Sequence, residues 1–196
     1  MEAYWFAMKD GERTVAKADR DETSMPLRKY DWNAPIPVEL FMHYPSEAWA
    51  PPRKTPPTSW LAAGALSVSP DVKATIEELE PGVHQFIPLT VKSGTRAEHV
   101  DYPYFSLRIC QRIDDVLAEK SDVEWRTIEL KDGKSLRLWS KKQAPLVLPA
   151  SSIKGKHLWS NRACSLQMNM MSGDLYHRLV ERGLTKGLRF QQQIVE

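Results

Sequence analysis

The 196-residue sequence predicts an α+β fold, with a largely antiparallel sheet of about seven strands and two or three helices. Three observations carry that reading. Apolar residues alternate with period two in several separate stretches, as at Ile87, Leu89 and Val91. Two short stretches carry a helical apolar stripe behind a capping serine. Asp132-Gly133, which accepts positive φ, joins two runs of β-formers as a hairpin turn.

Each element has its own punctuation. Tyr4, Phe6 and Met8 alternate with Trp5 and Ala7, which reads as an edge or second strand, and Asp10-Gly11 turns the chain. Eight of the 14 prolines follow at positions 26, 35, 37, 45, 51, 52, 56 and 57. Each removes a backbone donor, which argues against a long helix or a central strand over 26–57. Tyr30, Trp32, Phe41, Tyr44, Trp49 and Trp60 in or beside that stretch argue against a floppy linker. The expectation is an irregular segment wrapped over a 58–196 core, all within one domain of 1–196.

Ser69-Pro70-Asp71 supplies a cap, a first-turn proline and a first-turn acid to a helix whose stripe is Val72, Ile76 and Leu79. Glu80-Pro81-Gly82 stops it. A strand follows at 83–91, then a turn at Ser93-Gly94 and a second long strand at 102–113. Val123 to Ile128 and Leu136 to Trp139 flank the Asp-Gly hairpin, and prolines enclose a short apolar strand at 145–149. Leu166, Met168 and Met170 alternate. Ser172 caps a last helix with Asp174 in its first turn and Leu175, Tyr176 and Leu179 on its buried side. Gly183 ends that helix, and 184–195 closes the chain with a strand.

Composition narrows function only by exclusion. At 42% hydrophobic and 27% charged, the chain is neither disordered nor a disulfide scaffold. Its net charge of +2 gives no global drive toward nucleic acid or anionic lipid. No run of about 18 apolar residues suggests a membrane span, and Met1 to Phe6 carry neither part of a secretory signal. Two cysteines, Cys110 and Cys164, fit a reducing cytoplasm better than a disulfide. His43, His84, His99, His157 and His177 show no metal-ligand spacing, and no phosphate-binding glycine loop occurs. Ser151-Ser152-Ile153-Lys154 matches Ser-x-x-Lys by chance frequency, without its companion motifs. No catalytic residue, metal or cofactor is therefore assigned.

Charge is unevenly spread. Residues 141–196 hold nine basic and three acidic residues, a local +6, which leaves 18 basic and 22 acidic, or −4, in 1–140. Lys141, Lys142, Lys154, Lys156 and Arg162 flank Trp139, His157 and Trp159, a composition suited to single-stranded nucleic acid or to a protein partner.

One set of short motifs, in order, goes further. Gly82-Val83-His84-Gln85-Phe86-Ile87-Pro88-Leu89 comes first, then Lys156-His157-Leu158-Trp159-Ser160, then Met171-Ser172 opening a helix. The last is Arg182-Gly183-Leu184-Thr185-Lys186-Gly187-Leu188-Arg189-Phe190. Over roughly 60–196 this order resembles immunity family eleven of the bacterial polymorphic-toxin systems, long catalogued as a domain of unknown function. The resemblance implies a non-enzymatic cytoplasmic protein that neutralises a cognate toxin encoded nearby, of the kind delivered by contact-dependent or type VI systems. Read physically, the motif residues His84, Phe86, Pro88, Leu158, Trp159, Ser172, Gly183, Gly187 and Phe190 are scaffold. The partner surface is sought in the acids of the first helix, Asp71, Glu77, Glu78 and Glu80, or in Lys154, Lys156 and Arg162. Two other classes stay open: a nucleic-acid module using the basic C-terminal third, and an enzyme whose site assembles from distant residues.

Overall fold

The computed structural model describes residues 1–8, 17–18, 33–50, 57–63, 65–122, 125–129, 135–139, 145–161 and 168–196. The fold is α+β. Among the described residues the strands form three sheets, of five, six and two strands, rather than one sheet of about seven. The chain is arranged as two compact units. One comprises Met1–Ala7, Gln111–His177 and Phe190–Glu196, the other Met8–Cys110 and Arg178–Arg189.

In chain order the elements are β1 (Ala3–Met8), β2 (Lys17–Ala18), a 3-10 turn (Val38–His43), β3 (Glu47–Ala50), β4 (Trp60–Ala62) and β5 (Leu66–Val68). Then come α1 (Pro70–Leu79), β6 (Gln85–Gly94), β7 (His99–Arg108), β8 (Trp125–Glu129), β9 (Ser135–Trp139) and β10 (Val147–Leu148). The chain closes with α2 (Ala150–Ile153), β11 (Leu158–Asn161), β12 (Met168–Ser172), α3 (Gly173–Glu181) and β13 (Leu188–Val195).

The five-stranded sheet has the order β10-β13-β1-β12-β11. β1 is thus its middle strand, not the edge or second strand that its alternation suggested. The reason lies in its composition: both alternating sets are apolar, so both faces can be covered. Tyr4 stacks on Tyr176 at 4.1 Å and Phe6 packs beside Phe190 at 6.5 Å on one side. On the other, Ala3 joins Leu146, Leu148, Ile153, Trp159, Met168 and Met170 in a core against which Trp5 packs. Ser172 caps α3 by accepting from the Leu175 N–H at 3.2 Å, and Gly183 takes φ +68° beyond its end.

The six-stranded sheet has the order β2-β3-β6-β7-β5-β4, with the long β6–β7 hairpin as its spine. Leu89 and Val91 share a core with Ala48, Ala50, Leu61 and Tyr104, and Ile87 is buried on the same face of β6. The Tyr104 hydroxyl donates to the Thr58 carbonyl at 2.9 Å, and burial pushes its pKa up to about 12. Trp60 is fully buried, and its indole N–H donates to the Leu184 carbonyl at 2.7 Å. The spine carries two prolines, normally excluded from interior strands. Their pairing explains the tolerance. β3 pairs β6 only from Thr90 onward, and β5 pairs β7 only at Phe105 and Ser106. Among the described residues, Pro88 and Pro103 therefore each lie on a stretch whose outer flank has no neighbouring strand.

Three further expectations are revised here. β3 is an interior strand within the proline-rich stretch, because Ser46 to Ala50 is a proline-free run between Pro45 and Pro51. Ser93-Gly94 is not a turn: β6 runs through Gly94 and the chain reverses at 95–98. Gly94 is required there, since at φ +139° a Cβ would lie 2.8 Å from His99 Cα. The strand expected over 102–113 ends at Arg108. Gln111 to Ile113 then run beside β11, where Ser160 N–H donates to Gln111 O at 2.9 Å and Ile113 N–H to Ser160 O at 3.0 Å. The hairpin turn at 131–134 lies outside the described residues, but β8 and β9 pair antiparallel as read, with Trp125 opposite Trp139.

Candidate functional site

Four of the five histidines, His84, His99, His157 and His177, lie beside partners within the fold. His84 is buried, with Nε2 2.9 Å from Glu80 Oε2, and its Nδ1 accepts the Cys110 N–H at 3.2 Å. An accepting Nδ1 leaves the ring hydrogen on Nε2, aimed at the carboxylate. His157 Nδ1 lies 2.9 Å from Ser172 Oγ, the cap of α3. His99 stands edge-on to Trp49 at 5.1 Å and 3.4 Å from Asp101. Among the described residues no three His, Cys, Asp or Glu side chains converge to hold a metal. Burial pushes the free Cys110 thiol up, which disfavours the nucleophilic thiolate at neutral pH. Ser152 donates to Asp115 at 2.6 Å, while Ser151 and Lys154 are exposed, so Ser-x-x-Lys builds no dyad.

A groove of about 370 Å³ is lined by Met1, Glu2, Ser172, Gly173, Asp174 and His177. Its Glu2 carboxylate accepts from Tyr4 Oη at 3.3 Å and lies 2.9 Å from His177 Nε2. The His177 hydrogen bond, against an opposing desolvation and with a lesser contribution from Tyr4, holds the Glu2 carboxyl below the usual range. A carboxyl with a depressed folded pKa stabilises above its unfolded value, and the gain is lost as pH falls through the lowered value. An NMR titration should therefore place the Glu2 midpoint below that of an ordinary glutamate. In His177→Ala the midpoint should rise; an unmoved midpoint would deny the pairing.

The acids of α1 do not form one open face. Asp71 is exposed in the first turn, and Glu77 pairs with Lys73 one turn earlier. Glu78 accepts from Arg182 at 2.8 and 2.9 Å and from Arg178 at 3.1 Å, and these arginines, Arg182 foremost, hold its carboxyl below the usual range. Arg182 also donates to Thr75 Oγ1 at 2.8 Å. Glu80, expected on the exposed side, is only 5% exposed. It follows the last helical residue, and the Pro81-Gly82 turn brings His84 back onto it. Among the described residues, Asp71 and Glu77 remain as the acids of α1 without a hydrogen bond to the arginines, although Asp71 acts on Arg182 through space.

The basic patch changes character too. Lys154 and Lys156 are exposed on either side of Gly155, while Arg162, like Lys141, Lys142 and Cys164, lies outside the described residues. Leu158 and Trp159 are fully buried and His157 is half-buried, so Trp159 offers these lysines no exposed ring. A stacking platform for bases needs that exposed ring.

The remaining motif positions are distributed as follows. Phe86 meets Phe105 edge to face at 6.4 Å, and the Lys73 ammonium lies 5.3 and 5.5 Å from the two rings. Pro88 is exposed on β6. Gly187 takes φ +88°, and Phe190 meets Tyr176 at 5.0 Å. What the sequence reading missed is the 3-10 turn, where Val38 and Met42 are 70% and 81% exposed. Its only signal in the sequence was the pair of prolines at 35 and 37 before an apolar run.

A family model described as Immunity protein family (Imm11) matches residues 8–194. No curated protein matches the chain.

Proposed function

The chain belongs to the Imm11 immunity protein family, and from that membership we propose that it binds a cognate antibacterial toxin and neutralises it by stoichiometric contact, without turnover. The match over residues 8–194 of 196 carries the proposal. The commitment of His84, His157 and His177 to fold-supporting partners, and the raised Cys110 thiol, agree with it. We place the protein in the cytoplasm, against toxins delivered by contact-dependent or type VI machinery. No described helix is long and apolar enough to cross a membrane.

The test is co-expression with the C-terminal domain of the large open reading frame beside this gene. Growth should be restored only when the immunity protein is at least equimolar, and the two chains should co-purify. Protection at sub-stoichiometric levels would overturn the non-enzymatic reading.

We propose a cationic toxin surface, met in part by Asp71 and Glu77. Because Glu78 anchors Arg178 and Arg182, charge reversal there would disturb the fold, so the informative variant is Asp71→Lys with Glu77→Lys. It should slow association at low salt and leave the melting temperature unchanged. The competing surface is Lys154, Lys156 and Arg162. Loss of binding in Lys154→Glu with Lys156→Glu, and not in the α1 variant, would move the interface there.

We also take 1–196 as one cooperative domain. Limited proteolysis should then leave no long-lived fragment. A rapid single cut within 26–57 that releases a stable 58–196 core would contradict it.

A further inference from the structure

The segment from Asn33 to Ser46 is tied down at both ends within the second unit. At its start, the Ile36 N–H donates to Gln85 Oε1 at 2.9 Å, and Gln85 Nε2 donates to the Ile36 carbonyl at 2.7 Å. Asn33 Nδ2 donates to the Ile109 carbonyl at 3.0 Å. Arg108, 5% exposed, donates to Ala34 O at 2.6 Å and to Tyr44 Oη at 3.0 Å. At its end the Thr90 N–H donates to Ser46 O at 2.8 Å.

The anchors on β6, Gln85 and Thr90, are five residues apart on an extended strand, about 17 Å. Ten residues separate Ile36 from Ser46. The surplus chain forms an arch whose crown is the 3-10 turn Val38–His43, and none of that turn's residues is buried. β6 offers no N–H midway to hold the arch closer, because Pro88 stands there.

The crown is apolar where it meets solvent, at Val38 and Met42. In a 3-10 turn residues three apart eclipse, so Glu39 and Met42 share one row and Val38 and Phe41 the next. Glu39 is exposed and has no ion-pair partner among the described residues. The result is a carboxylate beside a flexible thioether, on a loop fixed by buried polar groups.

We infer that this arch is a docking tip for the toxin, and that its occupant is a protein surface with an apolar pocket rimmed by lysine or arginine. The inference rests on the immunity reading and adds an apolar contact to the α1 acids proposed above. A tip already held in place loses little conformational freedom on binding, so its exposed apolar area converts well into affinity. Methionine adapts its shape to a pocket. The sign of the partner follows from Glu39. The same carboxylate argues against a second copy of this chain, because a two-fold contact sets the patch against itself and brings two Glu39 side chains together.

The experiment measures binding of the C-terminal domain of the neighbouring open reading frame, in a form that does not kill the host, to the full-length chain. Val38→Asp with Met42→Asp should weaken binding at least 30-fold with an unchanged melting temperature. Glu39→Lys should lower the association rate about tenfold at low salt, an effect that added salt removes. Glu39→Gln should give an intermediate loss. Wild-type binding with unchanged affinity in all three variants overturns the docking tip and leaves the immunity reading standing. Absence of wild-type binding overturns both. Light scattering covers the other occupant: a wild-type dimer that the Val38/Met42 variant dissociates would assign the tip to self-association and overturn the inference.

Discussion

Trp159→Ala is expected to destabilise the protein by about 3–5 kcal/mol, lowering the melting temperature by roughly 6–20 °C for a chain of this length. The side chain is fully buried in the core of the five-stranded sheet, among Ala3, Leu146, Leu148, Ile153, Met168 and Met170. It pairs in register with Met170, which in turn pairs with Trp5, so its removal opens a void across three adjacent strands. Its indole N–H meets no acceptor among the described residues. Trp159→Phe therefore loses volume without losing a hydrogen bond and should be clearly milder. Differential scanning calorimetry on both variants checks the pair of expectations. An alanine variant of wild-type stability that no longer protects against toxin would place Trp159 at the interface instead.

The second large effect is expected at His84. His84→Leu removes the partner 2.9 Å from the buried Glu80 carboxylate and leaves the Cys110 N–H without its acceptor. Losing a hydrogen bond to a buried charge costs about 1.5–3 kcal/mol, and leaving the Cys110 N–H unsatisfied about 1–3 kcal/mol more. Neutralising that charge as well should recover part of the loss, so Glu80→Gln in the His84→Leu background should be more stable than His84→Leu alone. Urea unfolding of the two singles and the double gives the coupling. Strict additivity would mean that the two side chains do not act as a pair.

These two positions illustrate what could be read in the sequence. α1 was legible almost to the residue because its signals are local: Ser69 caps it, accepting from Val72 N–H at 3.4 Å, Pro70 opens it and Gly82 follows its end at φ +70°. β6, β12 and α3 were legible for the same reason. Sheet membership was not. Whether Tyr4 and Phe6 face α3, or Glu80 meets His84 or water, depends on residues far away or on the path of a turn. Alternation alone reports one buried face. It was the doubled apolar set of β1 that signalled a middle strand, and it was read too simply. On the candidate surface, charge type could be read but not pairing: Glu78 and Glu80 look alike in sequence, yet one is held by two arginines and the other is buried.

The order of the five-stranded sheet bears on how the protein is made. β1 leaves the ribosome well before its sheet neighbours β12 and β13. Ala3 pairs with Ser172, 169 residues later in the chain. At about 5–20 residues per second, roughly 10–35 s pass before that pairing can begin. Until then an apolar strand waits unpaired on the nascent chain, and pairing across so long a separation is intrinsically slow. A toxin injected into a cell with no finished immunity protein would have that interval to act. Under the proposed immunity role, protection depends on a pool completed beforehand, so resistance should track the standing amount of folded protein at the moment of attack rather than the rate at which new chains are started.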